Sequence, residues 1–306
     1  MNGATRPVVR PANDAVSLRP LFLLDPAVTY LNHGSFGACP ISVFETYQKW
    51  QLELERNPFR FLKVRAPQLM AEARDALAEY VGCPAKDCVF VPNATAGVSL
   101  AAQALMPSLG PGDEIVMTDH EYHPCQLIWN DISRRTGAKL VIVPVTLPYT
   151  SDEAFLEEFW SRVTPRTRIV FLSHITSITT LWFPVKAICE QARAAGIISI
   201  VDGAHAPGHI PLNVSDIAAD FYGGSCHKWM LAPKGTGFLY VSERFQPLMR
   251  PLFLSWGWRD DADFTARLHE QGTRAIRRRS SPCQRPSPSC APMIGTPSAR
   301  AATIYW

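Results

Sequence analysis

The sequence predicts an α/β domain built on a mostly parallel sheet of seven strands. Between residues 66 and 241, short β-branched runs alternate with amphipathic stretches, as in repeated βα units. Of the 306 residues, 47% are hydrophobic and 19% charged, which lies on the globular side of the disorder boundary and supplies apolar mass for a large core. Polar residues able to do chemistry fall just after the apolar runs, where open α/β sheets place their ligands.

Taken in chain order, Leu69, Met70, Ala73, Leu77 and Tyr80 recur at helical spacing and predict a helix over 67–81. The run 88–91 reads as a strand and 97–105 as the helix after it. Strands at 114–117, 139–145, 168–173 and 197–201 then alternate with helices at 125–136, 153–163 and 185–195. Strands at 221–223 and 237–241 complete the seven, which fit one large domain, and no internal repeat is visible. Residues 1–24 read as an N-terminal extension, 25–274 as the domain and 275–306 as a tail.

The net charge is +3, but residues 276–306 hold five Arg and no Lys, Asp or Glu. The preceding residues carry 25 basic against 27 acidic side chains, so the basic balance belongs to the tail and gives no reason to expect a nucleic-acid partner. No apolar run approaches the length of a membrane span, which excludes a membrane protein. The apolar piece 21–24 is too short and too late for a signal peptide core, so the chain reads as cytoplasmic. Eight cysteines (Cys39, Cys83, Cys88, Cys125, Cys189, Cys226, Cys283, Cys290) lack metal-ligand spacing and are too sparse for a disulfide scaffold, which predicts reduced thiols.

Four segments carry candidate chemistry. Residues 90–97 run from a strand into a helix, a turn that points backbone N–H groups at an anion, although on this segment alone Thr95 or Asn93 acting as a helix cap explains it better. Asp202 ends an apolar strand and precedes Gly203-Ala204-His205; an acid there either holds a cationic partner such as a ring nitrogen or caps a turn, with equal weight. In Gly223-Gly224-Ser225-Cys226-His227-Lys228-Trp229, Lys228 is the candidate nucleophile, because a partly desolvated lysine loses its proton more readily and can form a Schiff base. Lys234 reads as a solvated surface lysine. In His120-Glu121-Tyr122-His123, either Tyr122 or His123 can stack on a planar ligand. His120, His123, Asp202, His205 and His227 are metal-ligand types near one sheet edge, but no pair has diagnostic spacing, so no metal is assigned. His174, just past a strand end, reads equally as a satisfied rim histidine and as a substrate contact.

An anion-binding helix start, a ring-nitrogen acid and a Schiff-base lysine together form the kit of a pyridoxal phosphate enzyme. The chain resembles the class V aminotransferase family, and within it the isopenicillin N epimerase-like group. The resemblance runs from Tyr30-Leu31-Asn32-His33-Gly34-Ser35-Phe36-Gly37 through His120-Glu121-Tyr122, Leu172-Ser173-His174-Ile175-Thr176-Ser177 and Val201-Asp202-Gly203-Ala204-His205 to His227-Lys228-Trp229 and Gln271-Gly272-Thr273-Arg274. It implies a pyridoxal phosphate-dependent transferase-like large domain in a homodimer, with a small amino-acid-type substrate. Lys228 would carry the cofactor, Asp202 would partner its ring nitrogen and His205 would lie near its phenolic oxygen. Thr95, Ala96 and Ser225 would hold the phosphate, joined by Thr273 of a neighbouring protomer, and His227 would border the site. His123 takes the family's stacking position with Tyr122 its close competitor; Asn32, His33, His174 and Ser177 would face substrate, Ser177 standing where relatives often have Asn.

The resemblance implies chemistry at the Cα of an amino acid or a derivative, as an epimerase or a C–S lyase. A cysteine desulfurase would need a further catalytic Cys that none of the eight matches. The alternatives are a truncated remnant that binds the cofactor with little activity and, more remotely, a metal-dependent hydrolase. Relatives continue past Gly-Thr-Arg into a C-terminal domain, whereas here five Pro, five Ser and five Arg follow, a composition that cannot build a packed face and is expected to be disordered. GC-rich codons chosen for the tail and read one base out of register give HPSAFLAVPAAIAVLRPDDWDAVR, which resembles the missing continuation. A frameshift is the expectation, and a gene sequence with no such hidden reading would remove it.

Overall fold

The computed structural model describes residues 17–251 and 262–272. Residues 1–16 of the extension, Thr273 and the tail 275–306 lie outside the described residues, as do Cys283 and Cys290.

After a 3-10 turn at Arg19–Leu21, the chain forms α1 (Ile41–Arg56), the short α2 (Pro58–Arg60) and α3 (Ala66–Val81). Then come β1 (Cys88–Val91), α4 (Ala94–Leu105), β2 (Glu114–Thr118), α5 (His123–Thr136) and β3 (Lys139–Val143). Next are α6 (Asp152–Ser161), β4 (Thr167–Ser173), α7 (Val185–Ala194) and β5 (Ile198–Gly203). The short α8 (Val214–Ile217), β6 (Phe221–Ser225), β7 (Gly237–Val241) and α9 (Phe264–Gly272) follow.

The seven strands form one sheet in the order β1-β7-β6-β5-β4-β2-β3, parallel except for β7, which runs antiparallel to both neighbours. The order reverses at β2/β4, where the chain leaves the edge strand β3 and returns on the far side of β2; a ligand crevice forms outside the carboxyl ends at such a point. Alternate residues feed two cores. Phe90, Val116, Val170 and Val201 face α3, α6 and α7, while Val91, Ile115, Phe171 and Ile200 face α4, α5 and α9.

Several boundaries differ from expectation. Strand β3 stops at Val143 and not at 145, because Pro144 has no N–H for the ladder and Val145 N donates to the Asp119 carboxylate instead. Strand β5 runs on through Asp202 and Gly203, pairing Asp202 with Ser173 on one side and Gly223 on the other. Strand β6 likewise extends to Ser225. Helix α4 begins three residues before the expected 97, since Asn93 accepts from Ala96 N at 2.8 Å and caps it there. Helix α3 ends at Gly82, whose φ of 71° suits glycine. Helices α1 and α9 were not anticipated. No disulfide joins the six described cysteines. No helix among the described residues is long and apolar enough to cross a membrane.

Candidate active site

Period-two alternation points Asp202 to the same face as Ile200, toward α4 and α5. Its side chain is 3% exposed. Oδ1 accepts from Ala204 N at 2.9 Å, and the Cys125 thiol at the start of α5 lies 3.5 Å from Oδ2. Burial raises the Asp202 pKa, opposed by the Ala204 amide and the Lys228 charge.

Lys228 lies in the bend after β6. Cys226 N donates to Thr236 O, His227 Nδ1 to the same oxygen at 2.8 Å, and Ala232 N to Cys226 O, which closes the bend. Lys228 Nζ lies 3.1 Å from His205 Nε2 and 5.7 Å from the centre of the Tyr122 ring. Burial lowers the Lys228 pKa, with Asp202 and Cys125 pulling the other way. The segment 32–37 covers this bend. Gly37 N donates to His227 O at 2.7 Å, Lys234 Nζ returns to Gly37 O at 2.6 Å, and a Cβ on Gly37 would collide with the Lys228 carbonyl oxygen. Lys234 is exposed, as expected of a surface lysine, yet it ties this segment down.

The third element is the N-terminus of α4, which sits on β6. Ala94 N donates to the buried Ser225 hydroxyl at 3.2 Å, and the absence of a side chain on Gly223 lets the Ala94 carbonyl approach the sheet. Thr95 and Ala96 follow Ala94 in the same first turn and are half-buried, so the positive helix end and, through Ala94, the Ser225 hydroxyl lie together.

The remaining expected residues separate into those near Lys228 and those further out. Tyr122 lies beside the lysine, whereas His123 opens α5 with an exposed side chain. Asn32 spends its side-chain oxygen on Ser35 N at 3.1 Å, closing the turn of the covering segment. His33 accepts from Ala38 N and packs on Tyr30 and, at 6.4 Å, on Trp229. His174 is buried with both ring nitrogens engaged, Nδ1 with Tyr222 Oη at 2.8 Å and Nε2 with Trp182 Nε1 at 3.2 Å, and burial lowers its pKa to about 4. Ser177 is half-buried in the turn after β4. Among the described residues no three His, Cys, Asp or Glu side chains form a group able to hold a metal ion.

Three neighbours escaped the sequence reading. Cys125, in the first turn of α5, contacts Asp202, and α5 begins two residues earlier than the periodicity suggests. Glu121 is buried, accepts from Thr118 and Ser173 hydroxyls at 2.6 Å each, and has its pKa raised to about 8 by burial. Trp229 donates to His205 Nδ1 at 3.2 Å. Cys125 carries no sequence signal for its contact, whereas Glu121 and Trp229 stand within quoted motifs.

This donor set fits pyridoxal phosphate. The buried Oδ2 of Asp202 meets a thiol, a weak donor, where a ring N–H would be a strong one. The positive end of α4 and the hydroxyl hydrogen of Ser225 suit a phosphate, and a half-buried Lys228 offers an amine to an aldehyde.

Comparison with known proteins agrees. The sequence model of the class V aminotransferases matches residues 30–277. Isopenicillin N epimerase of Amycolatopsis lactamdurans is 37% identical over 279 residues, covering 90% of this chain and 69% of that protein. The Streptomyces clavuligerus isopenicillin N epimerase is 39% identical over 77% of this chain and 59% of its own length. A putative L-cysteine desulfhydrase 2 of Oryza sativa subsp. japonica is 32% identical over 71% of this chain and 48% of its own length. Among solved structures, a C-DES mutant with glycine covalently linked to its PLP cofactor superimposes with a TM-score of 0.74 at 27% identity, covering 83% of this chain and 69% of that one. The chain thus spans between about half and two thirds of these proteins. With the family's sequence model matched over most of its length and the same sheet beneath it, the chain belongs to the class V aminotransferase family of pyridoxal phosphate-dependent, fold type I enzymes.

Proposed function

We propose that the chain holds pyridoxal phosphate on Lys228 and acts at the Cα of an amino-acid-type substrate, as an epimerase-like or C–S lyase-like enzyme. The observation that carries this reading is the buried Asp202 at a strand end together with a half-buried Lys228 whose Nζ lies 3.1 Å from His205 Nε2. When bound, the cofactor supplies an electron sink for the pair left when a bond at Cα breaks.

The chain's own residues do the rest. The Asp202 carboxylate holds a proton at the ring nitrogen, and its burial makes that pairing strong. Thr95, Ala96 and Ser225 bind the phosphate. His205 donates at the phenolic oxygen, with His227 bordering the site and Tyr122 or His123 stacking on the ring. Lys228, as a free amine, would take the Cα proton as a general base, a role worth about 10²–10⁴ in rate. Asn32, His33, His174 and Ser177 line the substrate side. Thr273 completes the phosphate site across a homodimer.

Return of the proton on the opposite face gives epimerisation, and loss of a β-sulfur group gives C–S cleavage. The isopenicillin N epimerase and desulfhydrase relatives support both branches. Thiol-based sulfur transfer is disfavoured at Cys39, Cys88, Cys125 and Cys189, whose pKa values burial, with the Cys83 hydrogen bond at Cys88, pushes up and away from the thiolate.

The test is the visible spectrum with added pyridoxal phosphate, then borohydride reduction and peptide mapping. Label on the Lys228 peptide is expected, and soluble, folded protein with no label sinks the reading. Deuterium uptake at Cα without sulfide release then selects the epimerase branch, sulfide release selects the lyase, and the absence of both overturns chemistry at Cα.

A further inference from the structure

His205, which touches Lys228 through Nε2, is held at its other ring nitrogen by a tryptophan. An indole N–H donates and never accepts. Trp229 Nε1 lies 3.2 Å from His205 Nδ1, so that nitrogen is the acceptor and carries no proton. Burial keeps His205 neutral by lowering its pKa to about 4, and a neutral imidazole with a bare Nδ1 has its one proton on Nε2. Nε2 is the atom 3.1 Å from Lys228 Nζ. An N–H aimed at the lysine nitrogen needs a lone pair there, so an amine satisfies the contact and an ammonium does not. Burial of the lysine lowers its pKa, in the direction of the amine, with Asp202 and Cys125 opposing.

The tryptophan is itself held for this contact. Its ring stacks on His209 at 4.5 Å, and His209 Nδ1 lies 3.2 Å from the His205 carbonyl. Gly34 of the covering segment faces the pair: a Cβ there would come within 3.1 Å of the indole and 3.5 Å of the imidazole.

We propose that Trp229 is a positioning residue that fixes His205 in its Nε2–H form, holding Lys228 as a free amine and keeping one N–H donor aimed into the cofactor site. The donor's use by a cofactor rests on the functional reading above, whereas the tautomer and the amine do not.

Histidine nitrogens of ¹⁵N-labelled, cofactor-free protein report the tautomer directly, with His205 assigned by its loss in H205Q. A bare Nδ1 and protonated Nε2 are expected in the wild type and a shift toward the other tautomer in W229F. A protonated Nδ1 in the wild type, or the same pattern in W229F, overturns the proposal. The rate at which pyridoxal phosphate and borohydride label Lys228 at pH 7 should fall up to about tenfold in W229F, the scale of one hydrogen bond. In an H205Q background, where the amide donates without a tautomer, W229F should change that rate by less than about twofold. An equal loss in both backgrounds means that Trp229 acts through packing and overturns the proposal. The expected tautomer in a folded protein that takes no label upholds the tautomer assignment and removes the cofactor reading alone.

Discussion

At the scale of single residues, burial is the largest influence on each titrating group of the site, raising the pKa of Asp202 and lowering those of Lys228 and His205. Asp202 is buried with an amide and a thiol as donors, so its charge depends on a cation being near. Asp202→Asn keeps the shape and removes the charge; Cα proton exchange should fall by on the order of 10²–10³ while labelling of Lys228 persists, measured by deuterium uptake and peptide mapping. Acid sensitivity has a separate source. His174 and His205 have pKa values lowered from 6.5 to about 4, so between those values the unfolded chain binds more protons. Their contribution is complete above about pH 6.5 and is lost as pH falls toward 4. Glu121 works in the other direction: raised from 4.5 to about 8, it favours the folded state at low pH and loses that contribution as pH rises through 8. His174→Asn should therefore be less stable than the parent at pH 7 yet lose less stability between pH 6.5 and 4. Urea midpoints across that window check this, and parallel slopes would show that His174 is not a source of the sensitivity.

At the scale of elements, α4 shows what a cap does for a site. Asn93 both starts the helix three residues early, holding Ala96 N, and precedes Ala94, whose N–H meets Ser225. Asn93→Ala should cost about 1 kcal/mol of stability by denaturant titration and weaken phosphate-dependent cofactor binding, read by equilibrium dialysis. Much of this was legible in the sequence. The strand cores were visible as β-branched runs, and period two places Ser173, Asp202, Gly223 and Ser225 on the face of Phe171, Ile200 and Phe221 once the strands are drawn to their ends. The antiparallel entry of β7 was not, because Gly237–Val241 is apolar in either direction and pairing decides the sense. Helix α1 escaped because it buries few side chains, Val43, Trp50 and Leu54, and so shows a thin apolar stripe. The early start of α5 depended on Pro124 standing in its first turn, a position that proline suits and that periodicity alone does not register. The engaged nitrogens of His174 depended on Tyr222 and Trp182, brought together from separate segments.

At the scale of the whole molecule, the candidate site belongs to the centre of the sheet and not to its margin. Its carboxylate, its hydroxyl and its lysine hang from β5, β6 and the bend after β6, with β4 beside them. These central strands divide the two hydrophobic clusters, so opening the site widely would expose both. A ligand bound there is therefore coupled to global unfolding and not to the fraying of a loop. At 100 times its dissociation constant, pyridoxal phosphate should add about 2.7 kcal/mol, which for a chain of this size raises the thermal midpoint by roughly 5–10 °C. Amide exchange should slow across β4, β5 and β6 together. In Lys228→Ala, which keeps the phosphate site but lacks the amine, a smaller rise of the same regional pattern is expected. Protection confined to residues 32–37 and the turn after β4 would instead place the ligand on the covering segments and contradict a site anchored in the sheet.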